Sequence, residues 1–134
     1  MKVVINNDYG GFSLSYEGVK RYAELCGFNV YPFVTDFSTH TSTPWDTKGE
    51  EPLFLSYSKT PLIDGKHNNE DYFSERNIER DDPNLVKVVE ELGEKANGRC
   101  ASLTIVEIPD GIKWQIEEYD GSEWISEKHR TWGR

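Results

Sequence analysis

The chain is poor in the residues that form cross-links and metal sites. Its only two cysteines, Cys26 and Cys100, lie far apart among 134 residues. This spacing matches neither a disulfide-rich secreted scaffold nor the paired ligands of a zinc site. The three histidines, His40, His67 and His129, add no metal-like spacing. We therefore expect no metal, no cofactor and two reduced, buried thiols.

Long apolar runs and an excess of positive charge are also missing. No stretch approaches the length of a membrane span or of the apolar part of a signal peptide, so we expect a cytoplasmic protein without membrane contact. Fifteen lysines and arginines stand against 24 aspartates and glutamates, which gives a formal net charge of −9. Such a charge opposes association with a phosphate backbone. Direct binding of DNA or RNA is not expected.

Aromatic residues, in contrast, are plentiful. They make up 13% of the chain and include four tryptophans and seven tyrosines, which is not the composition of a disordered chain. A chain of this length buries roughly two-thirds of its unfolded surface without cross-links. We expect residues 1–134 to form a single compact α+β domain with a small core rich in aromatic rings.

Two segments have the apolar spacing of helices. The first covers residues 15–25, with Ser15 as its N-cap and Gly27 just past its end. In the second, Asp82 is the predicted cap and the periodic apolar residues continue through 83–96.

Short β-branched and aromatic runs predict strands before and between the helices. The opening run at 3–5 and the segments 28–34 and 53–57 are of this kind. Pro32 indicates that the second of them lies at a sheet edge or carries a bulge. The segments between them are rich in Ser, Thr, Asp, Gly and Pro. Long irregular loops are expected around 36–51 and 58–82.

The C-terminal third predicts a three-stranded antiparallel meander. Residues 102–108, 112–119 and 123–129 have strand character and are joined by short turn sequences. Together with the helices this predicts an α+β fold, in which two helices pack on one face of a mainly antiparallel sheet. A mixed sheet is left open.

Paired glycines separate the first strand from the first helix. Such a junction directs backbone N–H groups and the positive end of a helix dipole at one point, where an anion can bind. The loop lacks the glycine order of a dinucleotide fold and the lysine of a phosphate-binding loop. A tight turn with positive φ angles is the favoured interpretation. The alternative is a ligand site, with the candidate residues Asn6, Asn7, Tyr9, Gly10, Gly11 and Ser13.

Four further residues are candidates for ligand binding. Arg80 has no structural role evident from the sequence, so it is a candidate for a phosphate or carboxylate, although an ion pair with a neighbouring acid is favoured. His129, Arg130 and Trp132 combine a titratable ring, a forked donor and a stacking surface. The favoured alternative is that Trp132 docks the tail and the other two are solvated.

Several segments together resemble a widespread family of small proteins encoded by bacteriophages and prophages. They are VVINN at 3–7, YGGFSLS at 9–15, RDDP at 80–83, LVKVVEELG at 85–93, VEIPD at 106–110 and HRTW at 129–132. The stretch 33–76 is not covered, and no catalytic or binding residue carries over. The resemblance implies a phage accessory protein in the bacterial cytoplasm. Such proteins often neutralise a host defence.

The leading hypothesis is accordingly a non-enzymatic, phage-derived binding protein that counteracts a host defence. One version blocks a host defence protein through the acidic surface and the aromatic loop around Trp45. The other sequesters a small nucleotide-like ligand at the glycine loop with Arg80 or Arg130, and is expected to pair protomers into a homo-oligomer.

Two alternatives come from other classes of protein. A small enzyme acting on a nucleotide would need a general acid or base, for which His129, Glu75 and Asp81 are the candidates. Their spacing does not favour catalysis, so no catalytic residue is predicted. A phage structural or assembly protein is the other alternative, but the chain lacks the coiled-coil or repeat patterns typical of that class.

Overall fold

The structure, a computed structural model, describes residues 1–128 and has the predicted α+β class. Three short 3-10 turns lie among its helices and strands, at Asn69–Asp71, Glu75–Asn77 and Gly93–Ala96. In chain order the main elements are β1 (Lys2–Asn6), α1 (Tyr16–Cys26), β2 (Tyr31–Asp36), β3 (Thr41–Pro44), β4 (Ser56–Ser58), β5 (Tyr72–Phe73), α2 (Pro83–Leu92), β6 (Leu103–Glu107), β7 (Trp114–Tyr119) and β8 (Ser122–Glu127).

Helix α1 has the predicted caps. The Ser15 hydroxyl accepts a hydrogen bond from the Gly18 N–H at 3.1 Å, which satisfies one donor of the first turn. At the other end Gly27 has a φ of 88° and donates its N–H to the Ala23 carbonyl. Because this left-handed conformation favours glycine, the helix ends there.

Helix α2 also begins as predicted. The Asp82 carboxylate accepts from the Asn84 N–H at 2.8 Å, and Pro83 is the first helical residue. The same carboxylate accepts the Tyr22 hydroxyl at 2.7 Å and so links the two helices. The predicted helical run to residue 96 continues beyond α2 only as the 3-10 turn Gly93–Ala96, since Gly93 has a positive φ of 57°.

The predicted C-terminal meander is wrong in its first strand. Strand β6 pairs with β1, Ile105 lying opposite Val4, whereas β7 and β8 form a separate hairpin. The strand pattern of 102–108 fits either partner, so local sequence does not distinguish them. Burial of the apolar β1 run requires a partner strand, and β6 supplies it. All strand pairs within residues 1–128 are antiparallel.

The predicted edge position of Pro32 is also wrong. In the sheet ordered β3-β2-β4-β5 its strand is interior, and Pro32 lies opposite Tyr57 of β4. On the other side the Trp45 N–H donates to the Pro32 carbonyl at 3.0 Å. Proline has no N–H, so it cannot donate the return bond to Trp45. Trp45 lies just after Pro44, the last residue of β3. A proline is tolerated there because the ladder ends.

The two predicted loops differ in how much structure they contain. Segment 36–51 is not wholly irregular, because its residues 41–44 form β3 and pair with β2 around a turn at His40. Segment 58–82 is irregular apart from two 3-10 turns and the two-residue strand β5 at Tyr72–Phe73.

The core is small, as its composition predicts. Helix α1 packs on α2, and α2 packs on β1 and β6. Within residues 1–128 no helix is long and apolar enough to cross a bilayer. The expectation of buried cysteines is wrong, since Cys26 and Cys100 are both exposed free thiols. Cys26 ends α1, and Cys100 lies in a turn with a positive φ of 62°.

Candidate functional site

The glycine loop has the positive φ angles that a tight turn requires, 136° at Gly10 and 90° at Gly11. The turn between β7 and β8 covers it. Gly10 donates its N–H to the Asp120 carbonyl at 3.3 Å, and a Cβ atom added to Gly121 would collide with the backbone nitrogens of both loop glycines. This close approach leaves no room for a ligand between the loop and the hairpin turn.

The N-terminus of α1 already holds an anion from the chain itself. The Glu51 carboxylate accepts a hydrogen bond from the Tyr16 N–H at 2.6 Å. Together with the Ser15 hydroxyl, it accepts hydrogen bonds from two of the N–H groups of the first helical turn. The position at which the sequence suggests an external anion is therefore occupied by a side chain.

Asn6 lies at the end of β1 and is fully buried. Its side-chain amide donates to the Asp8 carbonyl at 2.7 Å and to the Gly121 carbonyl at 2.8 Å. Its side-chain oxygen accepts the Ser102 N–H at 2.8 Å, and its own N–H donates to the Glu123 carboxylate at 2.7 Å. A buried amide satisfied in this way joins β1, the loop and the hairpin, and has no donor left for a ligand.

Arg80 forms the ion pair that the sequence favours, and its partner is Glu123. The guanidinium donates to the two carboxylate oxygens at 2.6 and 2.8 Å and lies 3.8 Å above the Phe12 ring. The side chains are 18% and 9% exposed. This forked pair is of the strong, partly desolvated kind. We call Asn6, Phe12, Arg80, Gly121 and Glu123 the strand–hairpin junction.

The other predicted ligand residues are scattered. Asn7 and Tyr9 are exposed next to the junction. Gly10 and Ser13 line a cavity on another side of the glycine loop, and Gly11 is half-buried. His129, Arg130 and Trp132 lie outside the described residues, so their ligand role stays a prediction.

This cavity has a volume of about 480 Å³. It lies between the glycine loop, the segment 51–57 and the segment 72–76, and we call it the cleft. Its volume falls within the range of small-molecule and side-chain binding pockets.

Large apolar side chains on the cleft lining are exposed to solvent. Phe37 is 73% exposed and Phe54 is 72% exposed, and Leu53 and Tyr72 are exposed too. The sequence predicts a strand over 53–57, but β4 begins only at Ser56, so Leu53 and Phe54 lie outside the sheet. Exposed apolar side chains grouped in this way are typical of interaction surfaces. Pro52, which precedes the Leu-Phe-Leu run, was the sequence signal that this run does not begin a regular strand.

Among the charged residues that line the cleft, Glu75 differs in its burial and in its hydrogen bonding. Burial raises the pKa of its carboxyl above the ordinary value, and the charge of Glu51 adds to this shift. A hydrogen bond from its own backbone N–H and the guanidinium of Arg76 act in the opposite direction. Within residues 1–128 no other residue donates a hydrogen bond to this carboxylate, whereas Glu51 is bonded to Tyr16. Within the described part of the chain, the cleft thus contains a half-buried acid whose carboxylate is hydrogen-bonded to no residue other than itself.

Trp45, the aromatic residue of the predicted loop, is a structural anchor. Its ring meets Tyr16 edge-on, with centroids 5.3 Å apart and an interplanar angle of 83°. Trp45 therefore holds the end of β3 against α1.

Comparisons with known proteins add no family or function. No protein-family model matches the chain, and neither a curated protein nor a solved structure is significantly similar to it. The phage-family resemblance therefore stays a prediction. Among residues 1–128, no three His, Cys, Asp or Glu side chains are grouped so that they could hold a metal ion.

Proposed function

We propose that the chain is a non-enzymatic binding protein of the phage accessory class, which counteracts a host defence in the bacterial cytoplasm by blocking a host protein. The partner would insert a side chain or a short segment into the cleft. One observation carries this proposal: large apolar side chains surround a cavity and remain exposed. Such side chains are the usual energetic centre of a protein interface.

The contacts favour this version over sequestration of a nucleotide. A nucleotide site at the glycine loop would need Arg80 for a phosphate, but its fork is paired with Glu123. The loop amides face the hairpin turn, and Glu51 occupies the helix N-terminus. These features leave phosphate groups few donors at that place.

The contacts also favour binding over catalysis. Glu75 has the raised pKa of a general acid. However, the described contacts join it to no serine, cysteine or histidine, and a catalytic acid or base needs its reacting partner within hydrogen-bond reach. Asp81, another acid that the sequence suggests, is exposed and does not line the cleft.

The test is a matched set of affinity purifications from bacteria that carry an active defence system. The native chain, the double variant Leu53→Ser/Phe54→Ser and the control Ile63→Ser are compared. Ile63 is 75% exposed and does not line the cleft. We expect one host protein to co-purify with the native chain and the control and to be lost with the double variant.

Phage plating on the same strains supplies the functional half of this test. Protection of the phage by the native chain and by Ile63→Ser, but not by the double variant, is the expected result. Equal recovery of the host protein with all three chains would overturn the role of the cleft. A bound nucleotide detected by native mass spectrometry, with no host protein, would overturn the proposal itself.

A further inference from the structure

We propose that the cleft recognises a cationic residue of its partner, namely a lysine or arginine whose stem packs on the apolar lining and whose head pairs with Glu75. This inference rests on the proposed function of the cleft as a binding site. It names the chemistry of the group that enters.

The first step is a comparison of the charges that line the cleft. The Glu51 carboxylate is bonded to the Tyr16 N–H. Arg99 donates to the Glu51 carbonyl at 3.2 Å and lies 3.9 Å from the Glu50 carboxylate. Both groups therefore have partners within the chain. Among residues 1–128 no other residue donates a hydrogen bond to the Glu75 carboxylate, and the Arg76 guanidinium has no such contact either. Because Arg76 is exposed and Glu75 is half-buried, the unmatched charge that is shielded from water is negative.

The second step concerns the surroundings of Glu75. The lining of the cleft that holds it includes the apolar and aromatic side chains of Leu55, Tyr57 and Phe73. Such a wall removes water from a carboxylate without replacing the lost hydrogen bonds. A cation that enters the cleft restores them, and its charged hydrogen bond is stronger in this setting than at an exposed site.

The third step concerns the form of the occupant. Lysine and arginine have long apolar stems that lie along hydrophobic surface while the charged head reaches a polar partner. The exposed aromatic rings and the exposed Leu53 of the lining can pack on such a stem, and the Glu75 carboxylate can pair with the charged head. The net charge of −9 also attracts a basic partner.

Arg76 supplies the competing interpretation. It is exposed on the lining and could pair with a carboxylate or phosphate instead. The two interpretations predict opposite preferences for the charge of a ligand, so one set of probes separates them.

The pH dependence adds a second readout. Because a cation stabilises the ionised form of Glu75, its affinity should rise as the pH increases through the pKa of this carboxyl, and that pKa should fall when the cleft is saturated. The other charged or titratable groups that line the cleft are Glu51, Tyr57, Tyr72, Arg76, Arg99 and Cys100.

The experiment uses three probes with the same ring and chain: phenylbutylamine, phenylbutanol and phenylbutyrate. Each is titrated into the isotope-labelled native chain and followed by backbone amide shifts. Carboxyl carbon shifts report the pKa of Glu75. We expect the amine to shift the resonances of Leu53, Phe54 and Glu75 and to bind at least about fivefold more tightly than the alcohol. The butyrate should bind most weakly.

Two variants assign this preference to one carboxylate. Glu75→Gln should abolish the advantage of the amine over the alcohol while the alcohol still binds. Glu79→Gln, which neutralises an exposed acid outside the cleft lining, should leave the advantage unchanged. A thermal melt of each variant shows whether it is folded.

The remaining outcomes overturn the inference in distinguishable ways. Equal binding of the amine and the alcohol would leave the cleft as an apolar site and remove the cation. Preference for the butyrate would assign recognition to Arg76. If no probe shifts the cleft resonances, the cleft is not a binding site, and the proposed function fails with the inference.

Discussion

The strand–hairpin junction and the cleft lie on different sides of the same glycine loop, and they differ in how far their polar side chains are paired. At the junction, Arg80, Glu123 and Asn6 satisfy one another and the neighbouring backbone through short hydrogen bonds. In the cleft, Glu75 is half-buried without a described partner, and apolar side chains such as Phe54 are exposed.

This contrast shows how a structural network differs from a binding surface. Polar side chains that converge and are fully paired stabilise the fold, because leaving any one of them unpaired has a large cost. Unpaired charge and exposed apolar area are unfavourable in the free protein and become favourable when a partner covers them. A convergence of polar residues is therefore weaker support for a site than a group without a partner.

The largest expected effect comes from breaking the junction at Arg80. Arg80→Ala leaves Glu123 buried without its cation, and we expect it to lower the free energy of unfolding by about 3 kcal/mol. Urea denaturation measures this change. The matched control is Arg76→Ala on the cleft lining, which removes an exposed arginine and should stay within about 0.5 kcal/mol of the native chain.

An Arg80→Ala variant as stable as the native chain would contradict the structural role of this ion pair. The sequence-based hypothesis that Arg80 holds a ligand would then regain its support. Adding Glu123→Ala completes a double-mutant cycle. A coupling energy well above that of an exposed pair, which is about 1 kcal/mol at most, is expected.

The next largest effect concerns the contact between the hairpin turn and the glycine loop. Gly121 and Gly111 have similar φ angles, 91° and 83°, but only a Cβ at Gly121 would meet the loop backbone, while the space at Gly111 is open. Gly111→Ala should cost about 1 kcal/mol for the backbone conformation alone. Gly121→Ala adds a collision with the backbone and should cost about 3 kcal/mol.

Thermal and urea unfolding of the two alanine variants measure this difference directly. Since the backbone term is similar in both, the excess at Gly121 reports the docking of the hairpin on the loop. Equal costs at the two positions would mean that the hairpin turn does not contact the glycine loop in solution.

The sequence predicts the parts of this fold that depend on near neighbours. Ser15, Gly27 and Asp82 cap their helices through contacts within a few residues, so local chemistry was sufficient. The pairing of β1 with β6 joins residues about a hundred positions apart, and a strand pattern does not specify its partner. For this reason the meander was predicted in place of the observed pairing.

The candidate site follows the same division. The sequence favoured an ion pair for Arg80 but could not identify Glu123, which belongs to the hairpin. It suggested Glu75 only as a catalytic alternative, because nothing local indicates that its carboxyl is half-buried. The exposure of Leu53 and Phe54 depends on where β4 begins, and that depends on its pairing with β2 and β5.

The smallest expected effect is the pH dependence of stability that the Glu75 carboxyl of the cleft produces. The pKa of Glu75 is raised in the folded chain, so between the unfolded and folded pKa values the folded state holds more protons. The free energy of unfolding of the native chain therefore decreases as the pH rises through that interval. Glu75→Gln does not titrate, and we expect its stability relative to the native chain to increase over the same interval and then to level off.

Urea denaturation of both chains from about pH 4 to about pH 7 covers this interval, because an unperturbed glutamate titrates near the lower limit. Hydrogen bonds from Ser38 and Arg21 lower the pKa values of Asp36 and Glu91, which gives the native chain contributions of opposite sign. These contributions are common to both chains and cancel in the difference. Glu79→Gln should not reproduce the trend. If the difference in unfolding free energy between Glu75→Gln and the native chain does not change with pH, the Glu75 carboxylate is well solvated in the folded chain. The contrast between the cleft and the junction would then rest on apolar exposure alone.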